Sequence, residues 1–393
     1  MISVEEAKSL IRKNIECLPA VQIKLDQAVG YVLAENIYSP IHFPSFIQSS
    51  MDGYAFAFDD IEYELELIGV VQAGEATTIH LKKGQAVRIF TGAPLPNGAD
   101  TVLIQEKASV KGSQLIVIDE HLQKGANARS IGADIKQNAL ALEKSSQLTP
   151  GAIGFLASLG ITELAVYKKP SIHIILTGNE LTPIGDDLHF GKIYESNSHT
   201  LKAALSIAGF KQVEVSVIGD TIQETTMALK NSLEKHDLTL FTGGISVGDY
   251  DFVLEACIAN KVEQIFHKIK QKPGKPLYIG KKGSNIVCGL PGNPASVLSC
   301  YYNYITIVLD QMSNTTTTMR TINATLSNTY KKPAGLTHFL KGLYDAANNE
   351  VLILEGQESF KMKSFAMANC FVELLEEITD VESRQLVKVH LFN

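Results

Sequence analysis

The sequence predicts a multidomain chain of α/β class with added β-rich modules, on three observations. Its 393 residues exceed one ordinary core, since domains run about 100 to 200 residues. Residues 170–316 alternate strand and helix patterns, the order that builds βαβ units and a mostly parallel sheet covered on both faces. Residues 42–145 and 317–393 read instead as short alternating runs broken by Gly, Pro and Asn, the pattern of β-rich modules.

The elements follow in order. In "SVEEAKSLIRKNIEC", Ser3 stands as N-cap with Glu6 three places on, a capping box, and Ala7, Leu10, Ile11 and Ile15 share one helical face. "IKLDQAVGYVLAENIYSP" reads as a short strand, a helix and an extended exit before Pro40. The runs "YELELIGVV", "QAVRIF", "DTVLIQE" and "SQLIVID" predict a small barrel or sandwich over 42–145. "PGAIGFLASLG" returns to helix, with Pro150 in its first turn and Gly160 at its end. The β module is therefore expected as an insertion between 1–41 and 146–169, which together form one helical domain. Strands "SIHIILTG", "KQVEVSVIGD", "DLTLFTGG" and "VEQIFHKI" then interleave with helical stretches, ending in the apolar stripe "SVLSCYYNYITIVL", read as the core face of a helix. After a polar "SNTTTTM" linker the tail is β-rich again.

Composition excludes several functions. With 45% hydrophobic and 20% charged residues the chain is not disordered. A net charge of −7 argues against a general nucleic-acid binder, so any phosphate site must be local. The five cysteines are odd in number, widely spaced and without a Cys-x-x-Cys pair, which fits a reducing cytoplasm; Cys288 and Cys300 are expected to pack as small apolar residues. The N-terminus lacks the apolar core of a signal peptide, and no apolar run reaches about 18 residues, so neither export nor membrane insertion is expected.

Chemistry is expected where the parallel strands end, because ligands of open α/β sheets bind beyond the carboxyl ends of the strands. "IILTGNE", "VSVIGD", "LTLFTGG" and "NIVCGLPGNP" put four such exits on one edge. "TGGISVGDYDFVLEAC" is a Gly-rich loop opening a helix, whose N–H groups suit a phosphate, although a tight turn alone also uses glycines. Glu180, Asp220 and Asp251 at strand ends suit a hard divalent cation bridging phosphates; singly, each also suits a turn or cap. Lys272 and Lys275 of "KPGKP" could pin a small oxyanion from a proline-stiffened loop, or serve as a solvated turn. His-x₃-His, His-Glu-x-x-His and Gly-x-Ser-x-Gly spacings are missing, which leaves a zinc hydrolase and a serine hydrolase unsupported. The residues alone thus indicate a cytoplasmic α/β enzyme acting on a phosphate-bearing ligand with a divalent cation.

"MDGYA", "TGAPLPNGADTV", "TGNEL", "IYESNSHTL", "TGGISVGDYD", "KPGKP" and "LPGNPAS", in this order, give the chain a resemblance to the MoeA family of molybdopterin molybdenumtransferases, which is similar to the E domain of gephyrin. The resemblance implies a four-domain homodimer in which 1–41 and 146–169 serve as linker and dimerisation domain and the α/β domain has the molybdopterin-adenylyltransferase fold. It implies that adenylylated molybdopterin and molybdate give molybdenum cofactor and AMP with Mg²⁺ or a similar cation, and that a molybdopterin adenylyltransferase donates the substrate. Carried over residue by residue, it implies that Asp52, Thr91, Asp134, Glu180, Asp220, Asp251, Pro291 and Pro294 are functional, that Gly243, Gly244 and Ser246 cradle the pterin phosphate, and that Lys272 and Lys275 hold molybdate or phosphate. Three positions depart from the family pattern: Asn179 for Asp, Leu336 for Arg and Cys370 for Gly. The last two suggest a weakened anion contact in the C-terminal domain. Two alternatives remain at this stage, a metal-dependent nucleotide pyrophosphatase like the CinA proteins and a non-catalytic scaffold of the gephyrin type.

Overall fold

The computed structural model describes residues 1–75, 78–245, 252–316 and 319–392. It divides into two compact units, a smaller one of Ile23–Val29 and Leu33–Leu164 and a larger one of Met1–Gln22, Gly30–Val32 and Ala165–Asn393.

Helix α1, Val4–Asn14, starts where the Ser3 hydroxyl accepts the Glu6 N–H at 3.1 Å. Its buried face of Val4, Ala7 and Ile11 joins Ile172, Ile174 and Leu309 in the main core of the larger unit. The helix expected just after it does not form. A strand, Ala20–Lys24, runs into a single 3-10 turn, Leu25–Gln27, and Gly30 follows at φ +76°. So few residues before a left-handed glycine cannot offset the cost of nucleating a helix.

In the smaller unit six strands pair in the order Thr101–Ile104, Gly53–Phe56, Gln85–Ile89, Leu65–Val71, Gln114–Val117 and Ala108–Lys111. Because side chains alternate along a strand, Ala55, Val87 and Val102 enter one core and their neighbours Phe56, Ala86 and Leu103 another, so both faces are covered. Two antiparallel pairs, Ile37–Tyr38 with Leu140–Leu142 and Gln48–Ser49 with Ala128–Arg129, lie between this sheet and the unit's ends in sequence. Helix α2, Pro150–Ser158, has the expected punctuation: Thr149 Oγ1 accepts the Ala152 N–H at 3.2 Å, and Gly160 closes it at φ +76°.

The larger unit holds a second six-stranded sheet, ordered Val213–Ile218, Ile172–Thr177, Leu238–Thr242, Asn285–Leu290, Tyr278–Lys282 and Glu263–His267. The first four strands are parallel, Tyr278–Lys282 runs against them, and Glu263–His267 pairs antiparallel with it. Ile174 and Leu240 face one core while Ile175 and Phe241 face another, the double burial that continuous apolar strands imply. The connecting helices are α3 (Asn197–Ile207), α4 (Ile222–Lys235), α5 (Val253–Ala259), α6 (Pro294–Cys300) and α7 (Thr306–Ser313). The apolar stripe expected as one helix is interrupted: a π-helical turn, Tyr301–Ile305, separates α6 from α7.

Beyond it, the strands Thr337–Asp345, Glu350–Ile353, Arg320–Leu326, Leu386–Leu391 and Cys370–Leu374 pair in succession and close on the first, a five-stranded barrel around Ala324, Leu340, Val372 and Val389. Closure leaves no free edge within the ring. Helix α8, Met362–Met367, precedes its Cys370–Leu374 strand. No helix among the described residues is long and apolar enough to cross a membrane.

Candidate functional site

The register of the parallel sheet brings four strand ends level. Thr177 pairs with Ile218, Leu176 with Thr242, and Thr242 with Leu290, so the segments that follow leave the sheet along one edge. There they enclose a cavity of about 430 Å³. Of the residues singled out from sequence, Glu180, Asp220, Gly243, Gly244 and Pro294 all line it. Pro291 lies in the same segment, buried, and is not part of the lining. Ser246 and Asp251 lie outside the described residues.

Two glycines are sterically required. Gly178 has φ +146°, and a Cβ on it would stand 2.7 Å from Glu180 Oε2, so the carboxylate folds back over bare backbone. Gly243 has φ +90°, and a Cβ there would meet Thr177 Oγ1 at 2.8 Å. Gly178, Gly243 and Gly244 all line the cavity, and the Gly243 N–H donates to the Leu290 carbonyl at 3.1 Å.

Asp220 is oriented by the neighbouring exit: its Oδ2 accepts the Asn179 N–H at 3.0 Å, and Lys192 Nζ donates to the Asn179 carbonyl. Asn179, the departure from an acidic residue, therefore acts through its backbone. Next to Asp220, Glu224 Oε2 accepts the Gly219 N–H at 2.6 Å, and the Thr221 hydroxyl, the N-cap of α4, accepts the Glu224 N–H at 3.2 Å.

Sequence reasoning missed Asn197. It is 9% exposed and lines the cavity, where its Nδ2 donates to the Gly292 carbonyl at 2.9 Å while its Oδ1 is buried without a partner among the described residues. The signal was in "IYESNSHTL", where Asn197 opens α3 one residue before Ser198. Glu195 accounts for the early start, its carboxylate accepting both the N–H and the hydroxyl of Ser198 at 2.8 and 2.6 Å. On the opposite rim Asn293 Nδ2 donates to Ser359 Oγ at 3.1 Å, joining the "LPGNP" loop to the barrel.

Lys272 and Lys275 are exposed and are not part of the cavity lining. Lys272 belongs to a two-residue strand, Gln271–Lys272, that pairs with Thr337–Asp345 and sets it opposite His338. Burial, then the charges of Lys332 and Lys272, hold the His338 imidazole down at about 4. The lysine loop thus sits in a positively charged neighbourhood.

The remaining site residues lie in the smaller unit. Asp52 is exposed, and its Oδ1 accepts both the backbone N–H and the hydroxyl of Thr91 at 2.8 Å. These two bonds, and the Arg88 charge, hold its carboxyl below the usual range. Asp134 is also exposed, with its backbone N–H donating to the Phe43 carbonyl at 3.0 Å. Gly53 starts a strand, and a Cβ on it would fall 1.9 Å from the Leu103 carbonyl oxygen. Glycine is needed there for close backbone approach.

The two C-terminal departures differ in environment. Cys370 is fully buried in the barrel, and burial pushes its thiol up to about 12. It fills the space beside Gly342, whose added Cβ would be 2.9 Å from Cys370 Sγ. The Leu336 carbonyl accepts from Lys332 Nζ at 2.9 Å, and a backbone contact of this kind does not depend on the side chain.

A divalent cation can be tested against these groups. Among the described residues no cluster of three or more His, Cys, Asp or Glu side chains forms a ready-made cation site. Glu180 and Asp220 nevertheless present two carboxylates to one cavity. Two hard oxygen donors, with the rest from water and phosphate, fit Mg²⁺, which rarely takes an all-protein cage.

The chain matches known proteins along its whole length. Residues 2–160 match the family model for the MoeA N-terminal region (domain I and II), and residues 173–311 match that for a probable molybdopterin binding domain. A molybdopterin molybdenumtransferase of Haemophilus influenzae is 33% identical, covering 100% of this chain and 99% of its own. One from Staphylococcus epidermidis is 29% identical over 95% of this chain and 91% of its own. Among solved structures, the molybdopterin biosynthesis MoeA protein of Pyrococcus horikoshii superposes with a TM-score of 0.82 at 27% identity, covering 100% of this chain and 99% of that one.

Proposed function

The chain belongs to the MoeA family of molybdopterin molybdenumtransferases and acts in molybdenum cofactor biosynthesis, and from that premise we propose that it inserts molybdate into adenylylated molybdopterin and releases AMP. The observation that carries this reading is the convergence of Glu180, Asp220, Gly243 and Gly244 on one cavity at the carboxyl edge of the sheet. In this reading Gly243, Gly244 and Ser246 cradle the pterin phosphate. Glu180 and Asp220, together with Asp251, hold Mg²⁺ or a similar cation. Such a cation offsets the charge of the phosphoanhydride and the negative charge that builds as it breaks. The Asn179 N–H keeps Asp220 turned toward it. Pro291 and Pro294 stiffen the opposite rim, and Lys272 and Lys275 hold molybdate as paired cations.

Hydrolysis of the phosphoanhydride consumes one water, frees AMP and returns a phosphomonoester to the pterin. The two dithiolene sulfurs then displace oxygen from molybdate, which leaves as water. Every protein group here binds, orients or stabilises charge, so no protein nucleophile is required. In this reading Asp52, fixed by Thr91, and Asp134 are functional residues of the smaller unit.

We further propose a homodimer working in the cytoplasm, supplied by a molybdopterin adenylyltransferase. The five free cysteines suit a reducing compartment. The test of the chemistry is AMP release from adenylylated molybdopterin with Mg²⁺, in the presence and absence of molybdate. Dependence on molybdate supports insertion, whereas equal release without it indicates a nucleotide pyrophosphatase.

A further inference from the structure

The loop that carries Lys272 and Lys275 is braced from below by one amide. Gln271 is fully buried; its Nε2 donates to the Gly274 carbonyl at 3.0 Å, and its Oε1 accepts the Tyr304 hydroxyl. Tyr304 is fully buried as well, inside the π turn Tyr301–Ile305. Isolated π turns gather at functional positions because they re-aim side chains that an α-helix would direct elsewhere. The loop is also seated closely on the preceding helix: Gly274 has φ +84°, and a Cβ there would lie 2.5 Å from Cys300 Sγ. The Ile269 N–H donates to the Lys275 carbonyl at 3.0 Å, closing the far side.

We propose that Gln271 and Tyr304 are positioning residues for oxyanion capture: they fix the backbone between Lys272 and Lys275, so that two flexible ammonium groups present one spacing to a tetrahedral dianion of the molybdate class. This rests on the reading that the two lysines hold the oxyanion. The physical argument is preorganisation. Lysine side chains carry much rotamer entropy, and holding both bases still removes part of the ordering cost that binding otherwise carries. Both ends of the Gln271 amide are bonded, so the loop cannot shift without leaving a buried polar atom unpaired. The same π turn supplies an internal control, since the Tyr301 hydroxyl is buried without a partner among the described residues.

The experiment measures binding of molybdate alone to the full-length protein, and turnover as a function of molybdate, for wild type, Lys272→Ala, Lys275→Ala, Tyr304→Phe, Gln271→Leu and Tyr301→Phe. Tyr304→Phe is expected to raise both the molybdate Kd and its KM about fivefold, with kcat at saturating molybdate unchanged. Tyr301→Phe is expected to change neither constant. Should Gln271→Leu fail to fold, Tyr304→Phe, which loses one hydroxyl, still decides the question. Weakened binding in the lysine variants with wild-type binding in Tyr304→Phe overturns the positioning role. Equal weakening in both tyrosine variants overturns it too, as it reports a general loosening of the turn. Wild-type binding in both lysine variants overturns the reading beneath it.

Discussion

Thr91 holds Asp52 by two hydrogen bonds to one oxygen: its backbone N–H and its hydroxyl both reach Oδ1 at 2.8 Å. A carboxylate accepting two donors at one oxygen is fixed in rotamer and in charge, and its other oxygen is left for a ligand. The pairing couples "MDGYA" to "TGAPLP" across 39 residues of sequence, which accounts for the presence of both motifs in one chain.

Asp52→Asn keeps an acceptor for Thr91 but removes the charge, and is expected to lower kcat by about 100-fold if the charge acts on the reacting phosphates. Thr91→Val keeps the backbone donor, and is expected to lose only about tenfold. Steady-state AMP release from the two variants, with circular dichroism as a fold control, compares them directly; the reverse ranking would separate Asp52 from the chemistry.

Gly53→Ala places a methyl group 1.9 Å from a backbone oxygen that belongs to the neighbouring strand. Neither strand can move without disturbing the two cores it divides, so the cost is expected to exceed about 3 kcal/mol. Denaturant unfolding of the variant measures it, and a wild-type midpoint would show that the sheet yields more easily than its packing implies.

Acid should destabilise the larger unit in two stages. His338 is held at about 4 against an ordinary 6.5, first by burial and then by the charges of Lys332 and Lys272. The unfolded chain therefore binds the extra proton, and the stability contributed above pH 6.5 is lost as pH falls through about 4, on the order of 3 kcal/mol. Burial would raise the Glu373 carboxyl, but hydrogen bonds from His390 and Lys388 outweigh it and bring it to about 2. Its contribution is present above the ordinary 4.5 and is lost as pH falls through about 2. Unfolding measured from about pH 7 down to about pH 1.5 should show the upper stage vanish in His338→Asn while the lower stage persists.

Much of the α/β edge could be read directly from the sequence. Parallel strands buried on both faces read as apolar runs such as "SIHIILTG", and their ends must carry the polar and glycine residues, so Glu180, Asp220, Gly243 and Gly244 could be named before any coordinates. What escaped depends on local breaks in periodicity and on long-range bonds. Tyr304 reads as one more apolar position in "SVLSCYYNYITIVL", because a π turn shifts register without changing composition. Asn197 could be missed because Glu195, two residues earlier, determines where α3 begins. The environment of Cys370 could not be read from its motif, because it is set by barrel closure between strands far apart in sequence.

The central claim, insertion chemistry at the cavity edged by Glu180 and Asp220, is tested most directly by Glu180→Gln. This variant keeps the shape over Gly178 and removes one charge from the proposed cation site. AMP release from adenylylated molybdopterin should depend on molybdate and Mg²⁺ in the wild type and fall by at least about 100-fold in the variant. Wild-type release by folded Glu180→Gln would contradict the account and place the reaction elsewhere.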